Sequence, residues 1–215
     1  MTAIAVSRVH FPVTTLGPGK RLGIWLQGCS IRCVGCISVD TWAVNQGETT
    51  VESLIAVIEP WIGAADGVTI SGGEPFDQPV ALEALLRELR RLTGVSVLVY
   101  SGHSFQKLSP WLDRNSGLID ALMSEPYIAT ESQTLALRGS DNQLLHLLTD
   151  RGRHSFAAFH EAPADRRFDV MFDDDGTVWL AGIPARDDFR RFRDVLRDAG
   201  HHVVLSDAPG IEAVS

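Results

Sequence analysis

Cysteine is nearly absent from this chain: 215 residues hold three. All three fall in one run, Gly28-Cys29-Ser30-Ile31-Arg32-Cys33-Val34-Gly35-Cys36. Three thiols cannot all pair within one chain, so a disulfide framework is excluded and their crowding points to metal. A reducing cytoplasm is the compartment expected for them. Long apolar runs are missing as well. No stretch approaches the ~18 residues of a membrane span. Residues 1–7 carry no basic segment ahead of an apolar core, so no secretory signal is expected. Excess positive charge is the third absence. The formal net charge is −8, which disfavours nucleic acid as a partner, because nonspecific binding draws on phosphate neutralisation by Lys and Arg. Arg186, Arg190, Arg191, Arg193 and Arg197 do cluster, but Asp187, Asp188, Asp194 and Asp198 are interleaved with them, the pattern of a solvated helix face. What is there, 45% hydrophobic and 21% charged residues, is globular rather than disordered composition. The length suits one substantial domain, or a domain with an appendage.

Strand and helix signals alternate through the first two-thirds of the chain. Residues 2–11 read as an opening strand, Gly17-Pro18-Gly19 as a tight turn, and 22–26 as a short apolar strand feeding the cysteine loop. The spacing predicts a helix over 50–62, with Thr49 at the N-cap and Glu52 three residues on. Val51, Leu54, Ile55, Ile58, Trp61 and Ile62 form its apolar stripe. A strand at 68–70, a helix at 79–92, a strand at 95–100, a helix at 104–112 and a strand at 118–123 follow. This alternation favours a parallel sheet with crossover helices. There are fewer βα units than the eight of a closed barrel, so the expected fold class is α/β, an open, partial βα barrel.

Past about residue 150 the texture changes. Arg151-Gly152-Arg153-His154 reads as a connector. Residues 168–172 and 177–180 read as a β-hairpin turning at Asp173-Asp174-Asp175-Gly176, and the acidic triplet lacks the twelve-residue pattern of a calcium loop. A helix over 186–199 carries Phe189, Phe192, Val195, Leu196 and Ala199 on one side, and 203–205 add a last strand. The expected division is a core over 1–150 and a C-terminal extension, hairpin plus helix, over 151–215. Completing the fold is the task expected of that extension, ahead of docking a partner or covering a site.

The spacing C-x3-C-x2-C is a shortage with chemical meaning. A cubane [4Fe–4S] cluster has four irons and normally takes four thiolates. Cys29, Cys33 and Cys36 would leave one iron with open positions. A zinc site of three cysteines and a histidine is the competing reading. Zinc ligands usually arrive as separated pairs; His10 is the nearest histidine before the loop and none follows until His103, although a tertiary contact can supply one. A second motif, Ser71-Gly72-Gly73-Glu74-Pro75, stands at the C-terminal end of the 68–70 strand, where ligands bind in parallel α/β folds. Two glycines let the backbone approach a ligand closely, and Glu74 supplies an anion that can pair with an ammonium. A strand-Gly-Gly turn alone is common; its place one βα unit after the cysteine loop is more specific.

With both motifs the chain resembles the radical S-adenosylmethionine (SAM) superfamily, and within it the small activases of anaerobic (class III) ribonucleotide reductase. Gly17-Pro18-Gly19-Lys20-Arg21, Leu26-Gln27-Gly28-Cys29, Cys33-Val34-Gly35-Cys36, Thr41-Trp42, Asn45, Gly47, Ser71-Gly72-Gly73-Glu74-Pro75, Tyr100-Ser101-Gly102 and Arg138-Gly139-Ser140-Asp141-Asn142-Gln143 carry the resemblance, over roughly residues 5–147. It implies a partial barrel of radical SAM type. It implies that Cys29, Cys33 and Cys36 ligate a [4Fe–4S] cluster, with SAM chelating the fourth iron. Gly72, Gly73 and Glu74 would hold the methionine amino group, the backbone around Gly35, Cys36 and Ile37 would border the adenine, and Ser101 would lie beside the cofactor. An electron from a flavodoxin or ferredoxin would cleave SAM to methionine and a 5′-deoxyadenosyl radical. In the activases that radical removes a hydrogen from a backbone glycine of a glycyl-radical partner enzyme, with the cofactors doing the hard chemistry. The chain departs from the family after Cys36. Ile37-Ser38-Val39-Asp40 stands where many activases carry an aromatic residue or His followed by Asn, so Ile37 can pack on adenine but cannot stack a ring on it.

Three functions stay open at this level: an activase for a glycyl-radical partner, a radical SAM enzyme that modifies a peptide or small molecule itself, and a noncatalytic metal-binding module. Other polar residues have bland readings beside functional ones. His103 follows Ser101-Gly102 and reads equally as a site residue or a loop histidine. Asp120 and Glu125 flank a late strand, near SAM or as surface and capping groups. His201 and His202 would point to opposite faces of a strand, a poor metal pair. Trp42 reads as a brace for the loop after the cluster.

Overall fold

In the computed structural model, which describes residues 1–172 and 177–200, the elements run β1 (Ala3–Val13), β2 (Arg21–Leu26), β3 (Glu48–Thr50), α1 (Val51–Ile62), β4 (Gly67–Gly72), α2 (Pro79–Leu92), β5 (Ser96–Tyr100), α3 (Phe105–Arg114), β6 (Ala121–Ser124), β7 (Leu144–Leu147), α4 (Asp150–Phe156), β8 (Phe168–Phe172), β9 (Val178–Gly182) and α5 (Asp188–Asp198). One sheet has the order β3-β1-β2-β4-β5-β6-β7. Its four middle strands, β2, β4, β5 and β6, are parallel. Its outer joins, β3–β1, β1–β2 and β6–β7, are antiparallel. The parallel centre follows from the helices α2 and α3, which return the chain to the same end of the sheet between β4, β5 and β6.

Period-two alternation along the middle strands divides two faces. Leu22, Ile24 and Leu26 of β2, Val68 and Ile70 of β4, and Val97 and Val99 of β5 pack with Leu54 and Ile58 of α1, Leu82, Leu85 and Leu89 of α2, and Leu108 and Leu112 of α3. The i, i+3, i+4 stripes of those helices have this face to cover. On the other face Leu98 joins Met123 and Phe156, with Tyr100 against them, and Trp25 joins Val13, Leu16 and Ala181. The second face is thus covered by α4 and by a separate two-stranded antiparallel sheet, β8–β9. Thr14 and Thr15 tie that small sheet down, each donating backbone N–H and hydroxyl to the Asp169 carboxylate at 2.7–3.2 Å.

Several expectations need correction. The N-cap of α1 is Thr50, not Thr49; its hydroxyl accepts from Ser53 N–H at 3.1 Å. Thr49 is held extended because β3 pairs with Ala3–Ala5 of β1. Arg151-Gly152-Arg153-His154 is no connector but lies within α4, capped by the Thr149 hydroxyl. Gly152 permits this packing, since a Cβ there would meet the Asp120 carbonyl oxygen at 2.0 Å. The strand expected over 118–123 begins at Ala121, because Asp120 turns its side chain to other work at the strand's foot. The small sheet adds no strand to the main one. The stripe on α5 is weakly used: no residue of α5 is buried, Val195 is 65% exposed, and Phe189 and Phe192 lean on Phe168. The turn at 173–176, His201-His202 and the strand expected over 203–205 lie outside the described residues. No helix among the described residues is long and apolar enough to cross a membrane.

Candidate functional site

The C-terminal ends of β2, β4 and β5 open on a cavity of about 410 Å³, within the range of small-molecule sites. Cys29, Cys33, Gly35, Cys36 and Ile37 line it from the loop after β2, Gly72, Gly73 and Glu74 from the turn after β4, and Ser101 from the end of β5. Every residue singled out from the sequence as a ligand or cofactor contact therefore faces one space.

The cysteine loop is built from short local bonds. Cys36 N–H donates to the Cys33 carbonyl at 3.1 Å, closing a turn in which Gly35 holds φ +77°, a conformation that favours glycine. Ser38 N–H points at the Cys36 sulfur at 3.4 Å. Trp42 lines the same cavity, so it faces the candidate site as well as standing in the loop after it. Burial pushes the Cys33 and Cys36 thiols up from their ordinary values.

The Gly72-Gly73 turn lies against that loop. A Cβ on Gly73 would meet the Gly28 carbonyl oxygen at 2.0 Å, and one on Gly72 would meet the Leu26 backbone at 2.4 Å. Both are backbone atoms, so the glycines let two main-chain segments touch. Gly73 N–H donates to Leu26 O and Glu74 N–H to Gly28 O, each at 2.8 Å.

Glu74 is 1% exposed. Its Oε1 accepts from Phe76 N–H at 3.0 Å and Ser101 Oγ–H at 2.9 Å, and its Oε2 accepts from Gly102 N–H at 2.8 Å. Burial outweighs these bonds and pushes its pKa up to about 7. Ser101 in turn accepts from His103 N–H at 3.0 Å. Glu74 thus ties the ends of β4 and β5 together.

Other residues fall away from the cavity. His103 lies beside Asp77 and Lys107. Asp120 is buried at the opposite end of the sheet, accepting from Val97 N–H and pairing with Arg90 and Arg151. Glu125 accepts from Phe105 N–H at 3.3 Å. Sequence reasoning missed several residues that do build the site. Asp77 holds Ser30 of the cysteine loop, Tyr127 stands against Gly35, and Leu180, Arg186, Phe189 and Arg190 line the cavity from the C-terminal extension. The Arg-rich helix is mostly the solvated face expected, with Arg190–Asp187 and Arg191–Asp188 pairs along it. Arg186 and Arg190 are the two of these arginines that line the cavity, and no spacing in the sequence sets them apart from the others.

The donor set suits an iron–sulfur cluster with SAM. Three free thiols on one loop border the space. An ionised carboxylate offers about four acceptor sites. Glu74 uses three on protein donors, which leaves capacity on Oε2 for an ammonium.

Comparison with known proteins agrees. A family model described as a 4Fe-4S single cluster domain matches residues 15–146. The pyruvate formate-lyase-activating enzyme of Staphylococcus epidermidis is 41% identical over 83 residues, 36% of this chain and 33% of that protein, so this chain matches only a third of that relative's length. The anaerobic ribonucleoside-triphosphate reductase-activating protein of Escherichia coli strain K12 is 27% identical over 148 residues, 65% of this chain and 96% of the relative. Its counterpart in Vibrio cholerae is 26% identical over 150 residues, with the same coverage. These matches bear out the resemblance read from the cysteine loop and the Gly-Gly-Glu turn.

Proposed function

The chain belongs to the family of 4Fe-4S single cluster domains, and we propose on that footing that it is a radical SAM oxidoreductase that activates a glycyl-radical partner enzyme such as an anaerobic ribonucleotide reductase. One observation carries the reading: the loop of three cysteines and the Gly-Gly-Glu turn, far apart in sequence, border a single cavity. When bound, the [4Fe–4S] cluster and SAM supply the reductive cleavage that yields methionine and a 5′-deoxyadenosyl radical. The protein's residues bind, orient and shield. Cys29, Cys33 and Cys36 hold the cluster. Glu74 receives the methionine ammonium on its remaining acceptor site, with the backbone of Gly72 and Gly73 beside it. Gly35, Cys36 and Ile37 border the adenine, and Ser101 fixes the Glu74 carboxylate. The low-polarity wall of Trp25, Tyr100, Leu180 and Phe189 keeps water from a reactive species.

The sheet reads as the open βα barrel of radical SAM proteins, its core over 1–150 and its extension over 151–215, which begins within α4 and carries β8, β9 and α5. The electron comes from a flavodoxin or ferredoxin, the compartment is the cytoplasm, and neither nucleic acid nor membrane is a partner. The test is electron paramagnetic resonance. Anaerobically reconstituted protein, reduced with SAM in the presence of a glycyl-radical enzyme, is expected to raise a glycyl radical signal there. Absence of that signal across partners that other activases do activate overturns the reading.

A second reading has its own observation. The family match ends at residue 146, while Leu180, Phe189 and Arg190 beyond it line the cavity. A radical SAM enzyme that modifies a peptide or small molecule directly would use such a wall for its substrate. Transfer of deuterium from substrate into 5′-deoxyadenosine, with no glycyl radical on any protein partner, favours it.

A further inference from the structure

The turn after β4 and the cysteine loop are joined at two points that bracket Cys29. Before Cys29, the Gly28 carbonyl accepts from Glu74 N–H at 2.8 Å. After it, the Asp77 carboxylate takes both donors of Ser30, the backbone N–H at 2.7 Å and the hydroxyl at 2.8 Å. Glu74 and Asp77 are the two ends of one short 3-10 turn, Pro75–Asp77 with Glu74 as its cap. That turn is closed by Asp77 N–H donating to the Glu74 carbonyl at 3.0 Å. Asp77 does not line the cavity, and the imidazole of His103 lies 3.8 Å from its carboxylate. Its carboxylate is engaged in holding the loop rather than in meeting a ligand. Two charge-assisted bonds to one residue fix orientation as well as distance. Glu74, at the other end of the same turn, does face the cavity.

We propose that Asp77 is a positioning residue that couples filling of the amino-group subsite at Glu74 to retention of the cluster at Cys29. The inference rests on the reading of the cavity as a cluster and SAM site. A ligand on Glu74 restrains the turn, the turn carries Asp77, and Asp77 carries Ser30 and the start of the cysteine loop. Coupling between two binding events is reciprocal. SAM therefore slows loss of the cluster, an intact cluster loop strengthens SAM binding, and both effects pass through the Asp77–Ser30 bonds.

The experiment follows iron release to a colorimetric ferrous chelator from anaerobically reconstituted wild-type, Asp77→Ala and Ser30→Ala proteins, with and without SAM. No reductant is added, so turnover plays no part. SAM is expected to slow iron release from the wild type about tenfold, equivalent to about 1.4 kcal/mol in the barrier to release. Asp77→Ala is expected to lose iron about tenfold faster than wild type without SAM, and its protection by SAM falls to within about twofold. Ser30→Ala keeps the backbone bond to Asp77 and falls between the two. A purely structural role would lower the melting temperature of the apo chain and leave the ratio of release rates with and without SAM unchanged; that result overturns the coupling. If Asp77→Ala does not fold, Ser30→Ala and Asp77→Asn carry the test by the same ratio. Wild-type protection equalled by both variants also overturns it while leaving the cluster and SAM site standing. A wild type that builds no iron–sulfur cluster overturns that site and the coupling together.

Discussion

The two ends of the parallel sheet are both rich in polar side chains, yet they are built to opposite specifications. At the N-terminal end, Arg21 is fully buried. It donates to Thr69 Oγ1 and Val68 O at 2.6 Å, to Ser96 O at 3.1 Å and to Ser96 Oγ at 3.2 Å. Its guanidinium lies over the Phe156 ring at 5.2 Å. Burial lowers its pKa to about 10, which leaves it charged at neutral pH. Asp120, nearby, takes Arg90, Arg151, Thr149 and the Val97 backbone. Protein groups fill these sites. At the C-terminal end, three thiols and the Glu74 carboxylate border an open cavity with acceptor capacity to spare. Arg21 at the first end lost its water to a full set of protein acceptors and serves stability. Groups at the second end border a cavity instead, and on the function proposed above a ligand completes their set.

This contrast can be broken at either end, and the effects should differ in kind. The largest is expected from Cys33→Ala, which removes one of three protein ligands. Iron loading and SAM cleavage should fall to background while the apo chain melts within a few degrees of wild type; a variant that stays iron-loaded and active sinks the ligand assignment. Arg21→Ala should do the reverse. It strands several buried oxygens and should cost about 3 to 5 kcal/mol, read by urea unfolding of the apo chain. Iron content per folded molecule should not change.

Glu74 gives the next effect, visible in pH. Its pKa of about 7 in the folded chain lies above the ordinary 4.5, so the folded state binds more protons than the unfolded state between those values. Stability of the apo chain should fall as pH rises through that window, by at most roughly 3 kcal/mol. Glu74→Gln should remove that share of the slope, and an unchanged slope in the variant contradicts the assignment. Ser101→Ala should show the smallest change, about 1 kcal/mol for a lost hydrogen bond. It should also move the Glu74 midpoint higher, because one donor to the carboxylate is gone; a midpoint that moves down would show that Ser101 does not act on Glu74.

Legibility in the sequence followed the same division. The parallel strands and the helices over 79–92 and 104–112 were readable because their apolar periods are strong and local. The cysteine loop and the Gly-Gly-Glu turn were readable because rare residue types stand at fixed spacing. What was not legible depends on pairing across the chain. The two-way hold of Asp77 on Ser30, the buried seat of Arg21 and the short strand β3, with its displaced cap at Thr50, leave no periodic trace. The Gly-Gly pair was read as room for a ligand, and its first role is room for the Gly28 and Leu26 backbones. The extension was expected to complete the fold; its sheet pairs with no strand of the main one, packs through Ala181 on Trp25 and Leu16, and also lines the cavity, a second role that no sequence pattern marks.

The most direct test is the metal content and SAM chemistry of the anaerobically reconstituted chain, measured together on one preparation reduced with dithionite. About four irons per chain and reductant-dependent release of 5′-deoxyadenosine are expected. One zinc per chain with no cleavage of SAM would contradict the proposed function.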